Sequence, residues 1–125
     1  MSENILSGEE LIEYQKETIV MVKEYLTKLI PGMNNSIAEL KGDMKEDTWE
    51  YLRMIIDGFN WVVEAYNGVS SIINKDNIID ENAVEMDVKN LGKSFKAKNP
   101  EETASVLENG ILPFLKTLSD CCDKF

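Results

Sequence analysis

Two short runs in this chain carry side chains of a kind that does chemistry: Glu9-Glu10-x-x-Glu13 near the start and Cys121-Cys122 near the end. Glutamates spaced in this way on a helix can bring carboxylates together on a hard divalent cation, which prefers an oxygen cage. Adjacent thiols are a possible redox pair, but neighbours on a helix point about 100° apart, and a disulfide between them would be strained. Both cysteines therefore read as small packed thiols. Composition narrows the chemistry further. The chain has no histidine, so a Ser-His-Asp or Cys-His nucleophile would lack its base, and a Glu-x-x-His di-iron bundle would lack two ligands. A histidine phosphotransfer domain would lack the residue that carries the phosphoryl group. There is no glycine-rich phosphate loop and no zinc-ligand spacing.

Glu9-Glu10-x-x-Glu13 resembles the first half of the motif of the all-α nucleotide pyrophosphohydrolases, E-E-x-x-E. That resemblance implies magnesium held by carboxylates from two helices, the second carrying E-x-x-D. Here no glutamate is followed three residues later by aspartate: Glu39 is followed by Gly42, Glu81 by Val84 and Glu85 by Val88. The three glutamates then read as the acidic first turns of a solvated helix, favoured by its dipole. The expectation is no catalytic residue, no metal ligand and no cofactor.

The elements that would position any site are helices. Ser7-Gly-Glu-Glu10 is a capping-box signature. From it Ile12, Ile19, Leu26, Met33 and Leu40 recur every seven residues, with Val22 and Leu29 between them, which is one face of a helix. Pro31-Gly32 interrupts this run, and Ser36-x-x-Glu39 looks like a fresh start, yet the register continues undisturbed. The reading is a first helix kinked or broken near Pro31 that reaches about Lys41 before Gly42. A second box, Asp47-Thr-Trp-Glu50, opens a helix from Thr48 to Asn74 with Leu52, Phe59, Tyr66 and Ile73 at sevens and Ile55, Val62 and Val69 between. Residues 74–80 form the longest polar interruption. Val84, Val88, Leu91 and Phe95 mark a shorter third helix. Asn99-Pro100-Glu101-Glu102 is the strongest start signal in the chain. The fourth helix carries Ala104, Ile111, Leu118 and Phe125 at sevens, with Leu107, Phe114 and Cys121 between, and Pro113 predicts a bend near Asn109-Gly110. The fold class is all-α: an antiparallel bundle of about four helices, one domain over residues 1–125.

The second helix has a further stripe, directed away from its core face: Met54, Gly58, Trp61, Ala65 and Gly68, at steps of four, three, four and three. Only Glu50, Arg53, Asp57, Asn60, Glu64, Asn67 and Ser71 leave it a narrow polar strip, less than a surface helix usually shows to water. Either this helix is central and covered by the far end of the first, or the small residues form a groove for another helix with Trp61 as anchor. Trp49, on the flank of the core face, reads as packing.

Net charge is −10, from 23 acids against 13 bases, and the acids are spread along the chain. Such a surface repels nucleic acid and anionic membranes. Lys89, Lys93, Lys96 and Lys98 cluster where a helix C-terminus favours cations. No export signal and no apolar run of about 18 residues is visible, and the expected compartment is the cytoplasm. The functional expectation is a non-enzymatic protein-binding bundle, of adaptor or export-chaperone type. Its partner would be another protein or a second copy of itself, with no nucleic acid and no membrane. The alternatives are an acidic inhibitor or immunity protein for a basic partner and, less well supported, a carboxylate-only metal hydrolase.

Overall fold

Helix α1 takes up residues Gly8–Lys41 without a break in the computed structural model, which describes residues 8–125. Ser7, the expected cap, lies outside the described residues. Pro31 sits inside α1 on its exposed side. The backbone bond its missing N–H forfeits is therefore lost where water can serve the orphan carbonyl. Ser36 does not restart the helix. It is buried inside α1, in its last turns, and its Oγ has no hydrogen-bond partner among the described residues.

Helix α2 spans Thr48–Ile73. Its start differs from the expected box: the Asp47 side chain makes no capping bond. Thr48, fully buried, does the work instead. Its Oγ1 accepts from the Lys45 backbone N–H (2.7 Å) and donates to Glu39 Oε1 (2.8 Å), tying the end of α1 to the start of α2. Helix α3, Glu81–Lys96, is capped by Asp80, which accepts from Ala83 N–H at 3.1 Å. The loop before it is held by Asn74, buried, whose side chain accepts from Ile79 N–H (2.8 Å) and donates to Ile79 C=O (3.0 Å). After α3 the chain turns through Lys98, in the left-handed region at φ 52°. Lys98 lies over Phe95 (4.0 Å to the ring centroid) and Trp49 (5.1 Å), attractions that offset the backbone cost.

The fourth helix comes in three parts. Helix α4, Pro100–Val106, starts at Asn99, which accepts from Glu102 N–H at 3.1 Å. A π turn, Leu107–Ile111, follows, then helix α5, Leu112–Cys122. The π turn is how the chain meets Pro113: one wider turn, with Leu112 N–H bonded to Leu107 C=O, relieves the clash a proline makes one turn back. At Gly110 a Cβ would stand 2.5 Å from the Asp87 carboxylate, so glycine lets α3 approach here.

The architecture is an antiparallel four-helix bundle, and α1 is its central element. It packs against α2 on one side and against α4 and α5 on the other, while α3 lies on α4 and the π turn. The core joins Ile19, Leu26 and Met33 of α1 to Leu52, Phe59 and Val62 of α2 and to Leu107, Leu115 and Leu118 of the fourth helix. Two residues placed on core faces by their spacing lie outside it: Ile12 is 48% exposed and Phe125 58%. Lys23 of α1 pairs with Asp123 (2.8 Å) just past the end of α5, so Ile12, about three turns farther along α1, has no part of α5 opposite it. Phe125 follows the last helical turn. No helix among the described residues is long and apolar enough to cross a membrane.

Two of the buried polar residues, Asn74 and Ser36, make opposite predictions. Asn74→Ala removes both bonds to Ile79 and should destabilise by about 1–3 kcal/mol. Ser36→Ala deletes a hydroxyl that is buried without a partner and should leave stability unchanged or raise it by up to about 1 kcal/mol. Urea unfolding followed by circular dichroism measures both.

Candidate functional site

The small-residue stripe of α2 lies beside α1, and two contacts fix the register. Gln15 Nε2 donates to Gly68 C=O at 3.2 Å, and the Tyr25 ring stands edge-on to Trp61 at 5.5 Å between centroids. Antiparallel packing thus sets Tyr14, Thr18, Met21 and Tyr25 of α1, at steps of four, three and four, along the stripe.

The five residues have different surroundings. Met54 is 66% exposed and Trp61 38%. Ala65 is half-buried. Gly58 is half-buried beneath Tyr25, whose hydroxyl occupies the space that a Cβ would need. That end of the stripe is therefore filled by the chain's own α1. Gly68, at the other end, is exposed with open space where a Cβ would be. The result is an apolar surface shared by two helices, running from Met54 past the Tyr25–Trp61 pair toward Gly68, with Tyr14 (61% exposed) and Met21 (54%) on the α1 side. On the same two helices Glu17, Glu24, Asp57 and Glu64 are exposed, as are Lys28 and Arg53. The α1 contribution had a signal in the sequence, the Tyr14-to-Tyr25 spacing, but the seven-residue core repeat on the same helix masked it.

The residues with chemical potential do not assemble. Glu9, Glu10 and Glu13 are exposed in the first turns of α1, and among the described residues no three His, Cys, Asp or Glu side chains gather into a metal-holding group. Of the lysine cluster, Lys93 and Lys96 lie in the last turn of α3, Lys89 reaches Glu85 at 3.8 Å, and Lys98 is engaged by the two rings. Cys121 and Cys122 are both buried free thiols. Burial, then the neighbouring Cys121 and Asp123, push the Cys122 thiol up to about 11, with Lys23 opposing. Tyr66 is likewise raised, by burial and by the Glu81 carboxylate it donates to.

A family model described as a domain of unknown function (DUF8042) matches residues 17–121, so the chain belongs to that family. No curated protein matches it. No solved structure matches it either.

The raised Cys122 pKa has a defined consequence. An unfolded thiol ionises near ~8.5, so between there and about 11 the unfolded state loses a proton that the folded state keeps. This contribution to stability is complete below the lower value and falls as pH rises through that window. Labelling of Cys122 by a thiol reagent at pH 8 should accordingly be slow in the native protein and fast in urea, with labelled sites located by mass spectrometry. Fast native labelling would contradict the burial.

Proposed function

We propose that this member of the DUF8042 family is a non-enzymatic protein-binding bundle, of adaptor or export-chaperone type, that docks a basic amphipathic helix of another protein along the α1–α2 face. The observation that carries this reading is the exposed surface that runs from Met54 and Trp61 of α2, past Tyr25, to Met21 and Tyr14 of α1 near Gly68. Exposed aromatic and methionine side chains gathered on one face mark interaction surfaces in soluble proteins. The open end at Gly68 would let a partner backbone come close, and Trp61, already braced by Tyr25, would serve as a rigid anchor.

Charge supports a basic partner. The whole chain carries −10. Two copies of this chain would each bring that charge, which works against self-association through this face at low salt. An acidic partner would meet the same repulsion. The docking reading is of a partner held mainly by apolar burial, with charge steering its approach. Cytoplasmic residence is part of the same proposal.

The test uses Trp49→Phe protein, in which Trp61 is the sole tryptophan, and a Leu/Lys amphipathic helical peptide as probe. Binding should shift Trp61 emission to the blue. Trp61→Ala in the otherwise wild-type chain should keep its helicity and lose about 30-fold or more in peptide affinity by calorimetry, the loss typical of a hot-spot anchor. Equal binding by a Leu/Glu peptide, or an unchanged affinity in the alanine variant, would sink the proposal.

A further inference from the structure

Helix α3 leans on α4 and the π turn, and a cleft of about 290 Å3 is left between α2 and α3. Val63 of α2 and Val84 and Val88 of α3 form its walls, and Phe114 of α5 also lines it. Phe114 is held in place edge-on to Tyr66, 5.8 Å between centroids. Ile79 of the 74–80 loop contributes as well. The cleft is therefore bordered by three helices and a loop, a shape for one compact group rather than a length of partner chain. Its size is near the lower end of small-ligand sites, about 300–1,000 Å3.

The charge in this apolar cleft has one sign. Its lining includes Glu81 and Glu85, one turn apart on α3, and no lysine or arginine. Glu81 is oriented by two neutral donors, Tyr66 Oη at 2.5 Å and Asn74 Nδ2 at 3.4 Å, which fix the carboxylate without cancelling its charge. Lys89 approaches Glu85 only at 3.8 Å, with both side chains about two-thirds exposed, and such a pair contributes little. A cation placed between apolar walls beside these carboxylates is attracted more strongly than in bulk water, and the walls reward a hydrocarbon body.

We propose that the α2–α3 cleft is a binding site for a small apolar amine, its hydrocarbon portion between Val63, Val84 and Phe114 and its ammonium group at Glu81 and Glu85. This site is separate from the α1–α2 face and does not depend on the helix-docking reading.

Methyl-resolved NMR of the full chain tests it with three probes: phenethylammonium, 3-phenylpropionate and 1,4-butanediammonium. Phenethylammonium should shift the Val63, Val84 and Val88 methyl signals saturably. The carboxylate probe, with the same ring and opposite charge, should not, and the diammonium, with charge but little apolar body, should bind at least tenfold more weakly. Glu81→Gln with Glu85→Gln should weaken phenethylammonium at least tenfold. Should that double variant lose its native spectrum, Glu85→Gln alone, at an exposed position, is expected to weaken binding about threefold. Saturable binding of the carboxylate probe, unchanged affinity in the folded variant, or shifts confined to residues outside the cleft would overturn the proposal.

Discussion

The bundle is organised around the burial of one long helix, α1, on which α2 and the fourth helix pack while α3 rests on the fourth helix. From Ile19 to Leu40 the side chains of α1 are covered from two directions, by α2 and by the fourth helix. Taking a leucine, isoleucine, valine or methionine fully out of water is worth about 1.5–3 kcal/mol, and α1 buries seven such residues between those limits. Ordering the backbone opposes this at about 1–2 kcal/mol per residue, so the contacts must be shared efficiently. A single helix that presents apolar side chains to two neighbours meets that requirement. It also explains how Pro31 is tolerated, because Gly32 and Met33 next to it are buried and packing holds what the backbone ladder gives up.

The same arrangement leaves α2 with one side on α1 and another toward water, and there the exposed aromatic and methionine residues collect. Tyr25 and Trp61 brace each other across the helix pair, so the surface is firm rather than a fringe of loose side chains. In the docking proposed above, acidic neighbours of such a surface would select among partners by sign. Among the described residues the chemistry-bearing groups are dispersed or buried.

The start of α4 was legible because its cap is local: Asn99 accepts from an amide three residues on, as its type and the Pro100-Glu101-Glu102 run after it foretold. The helical class and most core positions followed from the seven-residue spacing for the same reason, since periodicity is a property of one segment. What escaped is what depends on two segments at once. That Thr48 rather than Asp47 organises the start of α2 requires Glu39 from another helix. The role of Lys98 requires Trp49, far away in sequence. Ile12 has a core spacing but nothing from α5 opposite it, which no single-helix pattern can report. Of the candidate surface, the α2 half could be read from spacing, whereas the filling of Gly58 by Tyr25 is a fact of helix pairing.

Gly110 gives the bundle an adjustable dimension. Because the missing side chain is what allows Asp87 and the whole of α3 to settle against the π turn, residue 110 acts as a spacer between two layers. The cleft residues Val84 and Val88 ride on the same rigid rod as Asp87. A larger residue at 110 would displace that rod and so retune the opening between α2 and α3 without altering any residue that lines it. In related chains the aperture could thus drift through a single peripheral position while the walls stayed the same.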